Sequence, residues 1–234
     1  MLSLAAQLLI PDRCFLCGLL GERVCWACTQ SIRVAHREHC PLCGLASIFP
    51  QPCLCGESDV AFCTLFSLTP PLRKYLHLIK YNNQKNLLPL IPVLLSGPQL
   101  KSLARISKTK RALLVPIPLH ENKEHERGFN QAQLMAQGLS KITGVPLKNL
   151  LTRVKKTKSQ AQINHKNSRR ENVAKAFECV VGADVDPQTQ IVLIDDVITS
   201  GSTIAAAAQA LKKKGIVRAW GLGLAQEDWR GRAC

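Results

Sequence analysis

Residues 190–215 read QIVLIDDVITSGSTIAAAAQALKKKG, and three kinds of chain follow one another in them. Ile191 to Ile194 are apolar and rich in β-branching, the pattern of a strand buried on both faces. Asp195 and Asp196 end that run, so a parallel strand here would deliver two carboxylates to solvent at its C-terminal end. Thr199, Ser200, Gly201, Ser202 and Thr203 come next, small and hydroxylated around one glycine. From Ile204 to Lys214 an alanine run, Leu211 and three closing lysines spell a helix, with Gly215 placed to cap it. Strand, small-residue loop and helix N-terminus together bind phosphate, because backbone N–H groups and the positive end of the helix dipole converge there.

The loop is neither G-x-x-x-x-G-K-[ST] nor G-x-G-x-x-G, so the mononucleotide P-loop and the dinucleotide fingerprint are both excluded. An acid pair precedes it instead. Such a pair can accept hydrogen bonds from two adjacent hydroxyls while the loop holds a phosphate, which describes a ribose 5-phosphate. The stretch VLIDDVITSGST resembles the phosphoribosyl pyrophosphate (PRPP) signature of the type I phosphoribosyltransferases. That resemblance implies that Asp195 and Asp196 hold the ribose hydroxyls at the reacting centre. It implies that Val197 and the run Thr199, Ser200, Gly201, Ser202 and Thr203 surround the 5-phosphate, with Ser200 standing where a threonine is common.

The net charge of +15 is concentrated in one part of the chain. Residues 70–182 carry 21 basic and 5 acidic side chains, whereas residues 1–69 carry 4 and 5, and residues 183–234 carry 6 of each. A local excess of this size implies a polyanionic ligand, a pyrophosphate or a nucleic acid. The apolar content of 46% belongs to a globular chain. Residues 1–10 are apolar without a leading positive charge, too short to span a bilayer and poorly formed as a signal peptide. They read as a short amphipathic helix in a cytoplasmic protein with no membrane span.

Eight of the 11 cysteines fall in four close pairs: Cys14/Cys17, Cys25/Cys28, Cys40/Cys43 and Cys53/Cys55. Three are C-x-x-C, and CFLCG and CPLCG continue into glycine, the turn that lets backbone N–H groups reach thiolates. Eight thiolates provide for about two structural zinc ions, the first four cysteines for one and the second four for the other. The one-residue spacing of Cys53 and Cys55 departs from that pattern. A disulfide framework is the competing reading, and a reducing compartment argues against it. The predicted boundary follows this module, giving a cysteine-rich unit over 1–68 and a second domain over 69–234.

Beyond Thr69-Pro70-Pro71, the spacing of Leu72, Leu76 and Ile79 predicts a helix with Arg73, Lys74 and Lys80 off its apolar face. Residues 96–111 are polar and basic and read as a loop or helix edge. Arg111 to Leu119, RALLVPIPL, reads as a strand with a rigid, proline-bound exit, and a helix is predicted from Ala132 to about Ile142. VPIPLH, ERGFNQA, Arg153, Thr157, Gln160, Arg169, Asn172 and IDDVITSGST occur in an order that, with the cysteine array, resembles the ComF/GntX family over essentially the whole chain. That family joins a double zinc ribbon to a phosphoribosyltransferase-like α/β domain and is associated with natural competence and the use of external DNA.

The resemblance implies a PRPP site with Mg²⁺ carried on the ligand. In it Val115, Pro116, Ile117 and Pro118 face pyrophosphate, and Arg127 stands nearby in the ERGFNQA motif. A mobile flap from Arg153 to Arg170, including Gln160 and Arg169, closes over the ligand. The fold expected is a mostly parallel sheet flanked by helices, completed by a buried strand over Arg218 to Ala225. Three functions compete: a PRPP-binding protein of DNA uptake that also binds single-stranded DNA and meets a competence helicase or uptake machinery; an active phosphoribosyltransferase of nucleotide metabolism with an unidentified acceptor; and a nucleic-acid module with a vestigial sugar-phosphate site. The intact acid pair and hydroxyl loop argue against the last. A glutaminase half is excluded, because residue 2 is leucine and the first cysteine lies in the zinc array.

Overall fold

The computed structural model describes residues 12–33, 60–81, 87, 91–109, 111–154, 176–180, 185–199 and 201–226. Its centre is a four-stranded parallel sheet. The strands are β1 (Phe62–Ser67), β2 (Ala112–Pro116), β5 (Gln190–Ile198) and β6 (Ala219–Gln226), in the order β1-β6-β5-β2. Two short strands, β3 (Leu151–Arg153) and β4 (Phe177–Cys179), pair antiparallel beside it. The helices are α1 (Trp26–Arg33), α2 (Pro70–Tyr81), α3 (Ile91–Leu94), α4 (Gly97–Ser107), α5 (Glu121–Arg127), α6 (Gln131–Thr143) and α7 (Ser202–Lys212). Among the described residues, no helix is long and apolar enough to cross a membrane.

Strand β5 is the axis of the fold, and its apolar run is buried without exception from Ile191 to Ile194. Alternate side chains of a strand point to opposite faces. Val192 and Ile194 accordingly join one apolar cluster with Leu72, Tyr75 and Ile79 of α2 and Met135 and Leu139 of α6. Ile191 and Leu193 join the other, with Val115, Ile204 and Leu211. A sheet covered on both faces needs continuous apolar strands, which is why QIVLI shows no alternation in sequence.

Two expectations are corrected here. The strand does not stop at the acid pair: it runs on to Ile198, still paired to β6 with Asp195 opposite Gly223, while β2 ends at Pro116 opposite Ile194. The acid pair therefore lies past the end of β2, with a paired strand on the β6 side. Residues 97–107, read as a loop or helix edge, form α4 with Pro98 in its first turn, and Gln99 Oε1 accepts the Ser96 N–H at 2.6 Å. The S-x-x-Q spacing of a capping box was the available signal. Strand β1, N-terminal to residue 68, pairs parallel with β6 from Phe62 to Ser67. The main sheet thus takes one edge strand from that part of the chain.

Candidate functional site

The end of β5 decides what the two aspartates meet. Asp196 turns toward α2, the helix that covers the Val192/Ile194 face. Lys80, in the last turn of α2, reaches Asp196 Oδ2 from its Nζ at 2.6 Å, with both side chains largely buried. The Oδ1 atoms are used locally, accepting the N–H of the next residue: Asp196 N–H to Asp195 at 2.8 Å and Val197 N–H to Asp196 at 2.7 Å.

These contacts separate two chemically identical groups. Burial opposes charge on Asp196, but Lys80 outweighs it and holds the carboxyl below its usual range. Burial, with the adjacent Asp196 charge added, pushes Asp195 up to about 7. Lys80 is itself opposed by burial, and Asp196 more than compensates, so its ammonium is retained. One carboxylate is fixed in the charged form and the other is poised to hold or release a proton.

Two residues implied by the resemblance join this pair. Arg127, at the end of α5, lies 5.6 Å above the Tyr81 ring and donates to Gln131 Oε1 at 3.2 Å. Its charge acts on Asp196 and Lys80. Arg153, at the end of β3, stacks 5.3 Å over the Phe177 ring, and its charge acts on Asp195. Lys80 and Lys123 belong to the same group of cations and were not singled out from sequence. Lys123 sits in the α5 segment ENKEHER, read as a run of charges; His120 Nδ1 accepting from the Asn122 N–H and Gly128 at φ 72° bound that helix.

The loop beyond the pair turns into α7 at Gly201, whose φ of 73° is the left-handed region. A Cβ there would run into the Phe62 ring, so this glycine is required by packing as well as by backbone conformation. Ser202 is buried, Thr199 and Thr203 are partly buried, and Val197 packs against the core. At the β2 exit the Val115 and Ile117 side chains are also core, and the Ile117 N–H bonds to the Ile194 carbonyl at 2.9 Å. Only main-chain atoms of those two could meet a ligand. Ser200, Gln160, Arg169 and most of the expected flap lie outside the described residues. The β3–β4 ladder, with Arg153 opposite Phe177, fixes where the chain leaves for that segment and returns.

A cleft of about 570 Å³ opens at the other end of the sheet, between Arg111, Gly144, Lys148 and Thr189. An Arg111–Asp186 ion pair lies on its wall. None of the residues singled out from sequence lines it.

The cysteine cluster is built more locally. Arg13 bridges Leu20, the Gly18 N–H bonds to the Cys14 carbonyl at 2.8 Å, and Gly18 takes φ 84°, so Cys14 and Cys17 are presented by one tight turn. Cys25 and Cys28 come instead from the start of α1, where the Thr29 N–H bonds to the Cys25 carbonyl at 2.9 Å. All four Sγ atoms lie within 4.8 Å of one another, Cys17 and Cys25 at 3.6 Å. A zinc–sulfur tetrahedron with bonds of about 2.3 Å has edges of roughly 3.8 Å, so the set fits zinc and leaves no open coordination position. Burial of Cys14 is outweighed by N–H groups led by that of Cys25, which lower its thiol to about 6, while burial raises Cys28. Cys40, Cys43, Cys53 and Cys55 lie outside the described residues.

Fold and site together define a class: a parallel α/β domain with an acid pair and a helix N-terminus at the carboxyl end of its central strand, joined to a four-cysteine cluster. No family model matches the chain. Among curated proteins it is 38% identical over 115 residues to Competence protein F of Haemophilus influenzae, spanning 48% of this chain and about half, 50%, of that relative. It is 29% identical to DNA utilization protein YhgH of Salmonella typhimurium over 92% of this chain and 97% of that one. It is 26% identical to Competence protein ComFC of Bacillus subtilis over 83% and 80%. The chain is thus a homologue of proteins named for competence and for DNA utilization, with the cysteine cluster in its N-terminal part.

Solved structures similar to it include the glutamine PRPP amidotransferase of B. subtilis complexed with ADP and GMP (TM-score 0.34, 19% identity, 59% of this chain and 25% of that one). Adenine phosphoribosyltransferase of Leishmania tarentolae is another (TM-score 0.26, 14% identity, 56% and 72%).

Proposed function

We propose that this chain binds PRPP at the carboxyl end of β5 and serves the uptake or use of external DNA, a reading supported by relatives named for competence and for DNA utilization. The observation that carries the reading is the Asp195–Asp196 pair standing between a glycine-capped helix N-terminus and the cations Arg127 and Arg153. The 5-phosphate would lie against Gly201 and the first turn of α7, where helix N–H groups and dipole favour an anion. The ribose hydroxyls would lie against the aspartates, and the diphosphate toward the cations.

Departure of pyrophosphate from C1 gathers negative charge on phosphate and positive charge on the sugar, so fixed cations on one side and carboxylates on the other stabilise both. The two carboxylates, one of them held by Lys80, make no closed oxygen cage, which suits a Mg²⁺ carried on the ligand's own phosphates. When bound, Mg²⁺ would supply further charge neutralisation to the diphosphate.

Calorimetric titration with PRPP and Mg²⁺ tests this. The Asp195→Asn/Asp196→Asn double variant should bind at least tenfold more weakly, and unchanged affinity would refute the ribose assignment. Pyrophosphate release in the presence of candidate acceptors separates a transferase from a protein that only binds PRPP. The excess of basic side chains in residues 70–182 exceeds what one PRPP can neutralise and favours single-stranded DNA as a second ligand. A fluorescence titration should then show affinity falling with salt, at a log–log slope of about −0.7 per phosphate contacted.

A further inference from the structure

We propose that Lys80 is a binding residue for the diphosphate group: it closes on Asp196 when the site is empty and turns to the diphosphate when a ligand enters. This rests on the PRPP reading above and adds to it a residue that no sequence motif singled out. Three elements bring four cations to the acid pair, and their like charges crowd one another. Lys80 comes from α2, Lys123 and Arg127 from α5, and Arg153 from β3. Lys123 records the crowding: burial lowers its proton affinity, and Arg153, Arg127 and Lys80 lower it further, with Glu126 the acidic neighbour that opposes them. Against these four stand Asp196, fully committed as a carboxylate, and Asp195, only half ionised near neutral pH. The surplus is positive, and an anion placed among these groups would relieve the repulsion.

Lys80 is the member able to exchange partners. Its ammonium is a point charge on a four-carbon stem with three rotatable donors. Among the described residues its ammonium is paired with Asp196 Oδ2, at 2.6 Å. Asp196 Oδ1 already accepts the Val197 N–H, so Oδ2 is the oxygen more open to a ribose hydroxyl. A sugar hydroxyl and the Lys80 ammonium then compete for one oxygen, and a displaced ammonium stays within reach of the Arg127 charge.

The test titrates the full-length, zinc-loaded protein by calorimetry with inorganic pyrophosphate, ribose 5-phosphate and PRPP, comparing wild type, Lys80→Gln and Lys80→Arg at one low salt concentration. Lys80→Gln should bind pyrophosphate about tenfold or more weakly and ribose 5-phosphate as well as wild type or better, since Asp196 is released. Lys80→Arg should recover most of the pyrophosphate affinity. A parallel fall for pyrophosphate and ribose 5-phosphate would make Lys80 merely structural and overturn the proposal, as would unchanged pyrophosphate binding. Should Lys80→Gln not fold, the Lys80 Nζ resonance of ¹⁵N-lysine-labelled wild type decides. It should move with pyrophosphate, and a resonance that ignores pyrophosphate overturns the idea. Pyrophosphate binding that depends on Lys80, without any ribose 5-phosphate or PRPP binding, would uphold the lysine's role and sink the sugar-phosphate reading alone.

Discussion

The cysteine cluster, which could hold a zinc ion, and the acid-pair site are built on opposite plans. The four thiols come from residues 14–28, brought together by one turn and one helix start. The acid-pair site draws on Lys80, Arg127, Arg153 and Asp196, which only the assembled sheet unites. A local cradle can be organised by its metal, whereas a non-local one exists only after the core has formed. The two are nonetheless continuous. Cys14, Leu16, Val24 and Ile32 share an apolar cluster with α2, the Lys74 Nζ donates to the Leu16 carbonyl at 2.6 Å, and Arg33 donates to the Leu94 and Leu95 carbonyls at 3.2 and 2.9 Å.

That continuity can be broken first at the metal. Chelation or Cys14→Ser should cost about 5 kcal/mol or more, roughly 10–20 °C in melting temperature, and should loosen α2 and Lys80 with it. Scanning calorimetry beside zinc analysis checks this; retention of the full melting temperature after zinc loss would make the two regions independent. Gly201→Val strikes the other region directly, combining a β-branched residue at positive φ with overlap on Phe62. A loss of about 2–4 kcal/mol is expected in denaturant unfolding, with zinc content unchanged.

Smaller effects should come from the aspartates, with opposite signs. The folded-state pKa of Asp195 is raised above its unfolded value, so the folded protein holds the extra proton between about pH 4 and 7. Stability is therefore lost as pH rises through that window, and Asp195→Asn should remove the slope and stabilise the protein above pH 7 by about 1–3 kcal/mol. Asp196 is lowered, so its contribution is present above the unfolded pKa and lost in acid. Asp196→Asn leaves Lys80 without its partner and should destabilise by about 1–3 kcal/mol at neutral pH. Urea unfolding of both variants from pH 4 to 8 measures the two signs together. At the far end of the sheet, Arg111→Ala removes an exposed ion pair and should change stability by less than about 1 kcal/mol, leaving PRPP affinity as it was.

The sequence by itself determined the pieces whose rules are local. QIVLI had to be a doubly covered strand, C-x-x-C spacing had to gather thiols, the Leu72/Leu76/Ile79 spacing had to make a helix, and the alanine run from Ile204 had to make another. Each depends on neighbours a few residues away, where periodicity and turn chemistry act. Tertiary structure alone decided how far β5 runs past its aspartates, because that depends on where β2 stops and β6 continues. It also decided that Asp195 and Asp196 titrate apart. Lys80 looked in sequence like one solvated lysine off an apolar face, and nothing within a helical turn marks it. Its meaning comes from 116 positions further along, where the end of β5 turns Asp196 toward α2. Charge acts through space, and a contact between distant residues follows the packing of the elements that carry them.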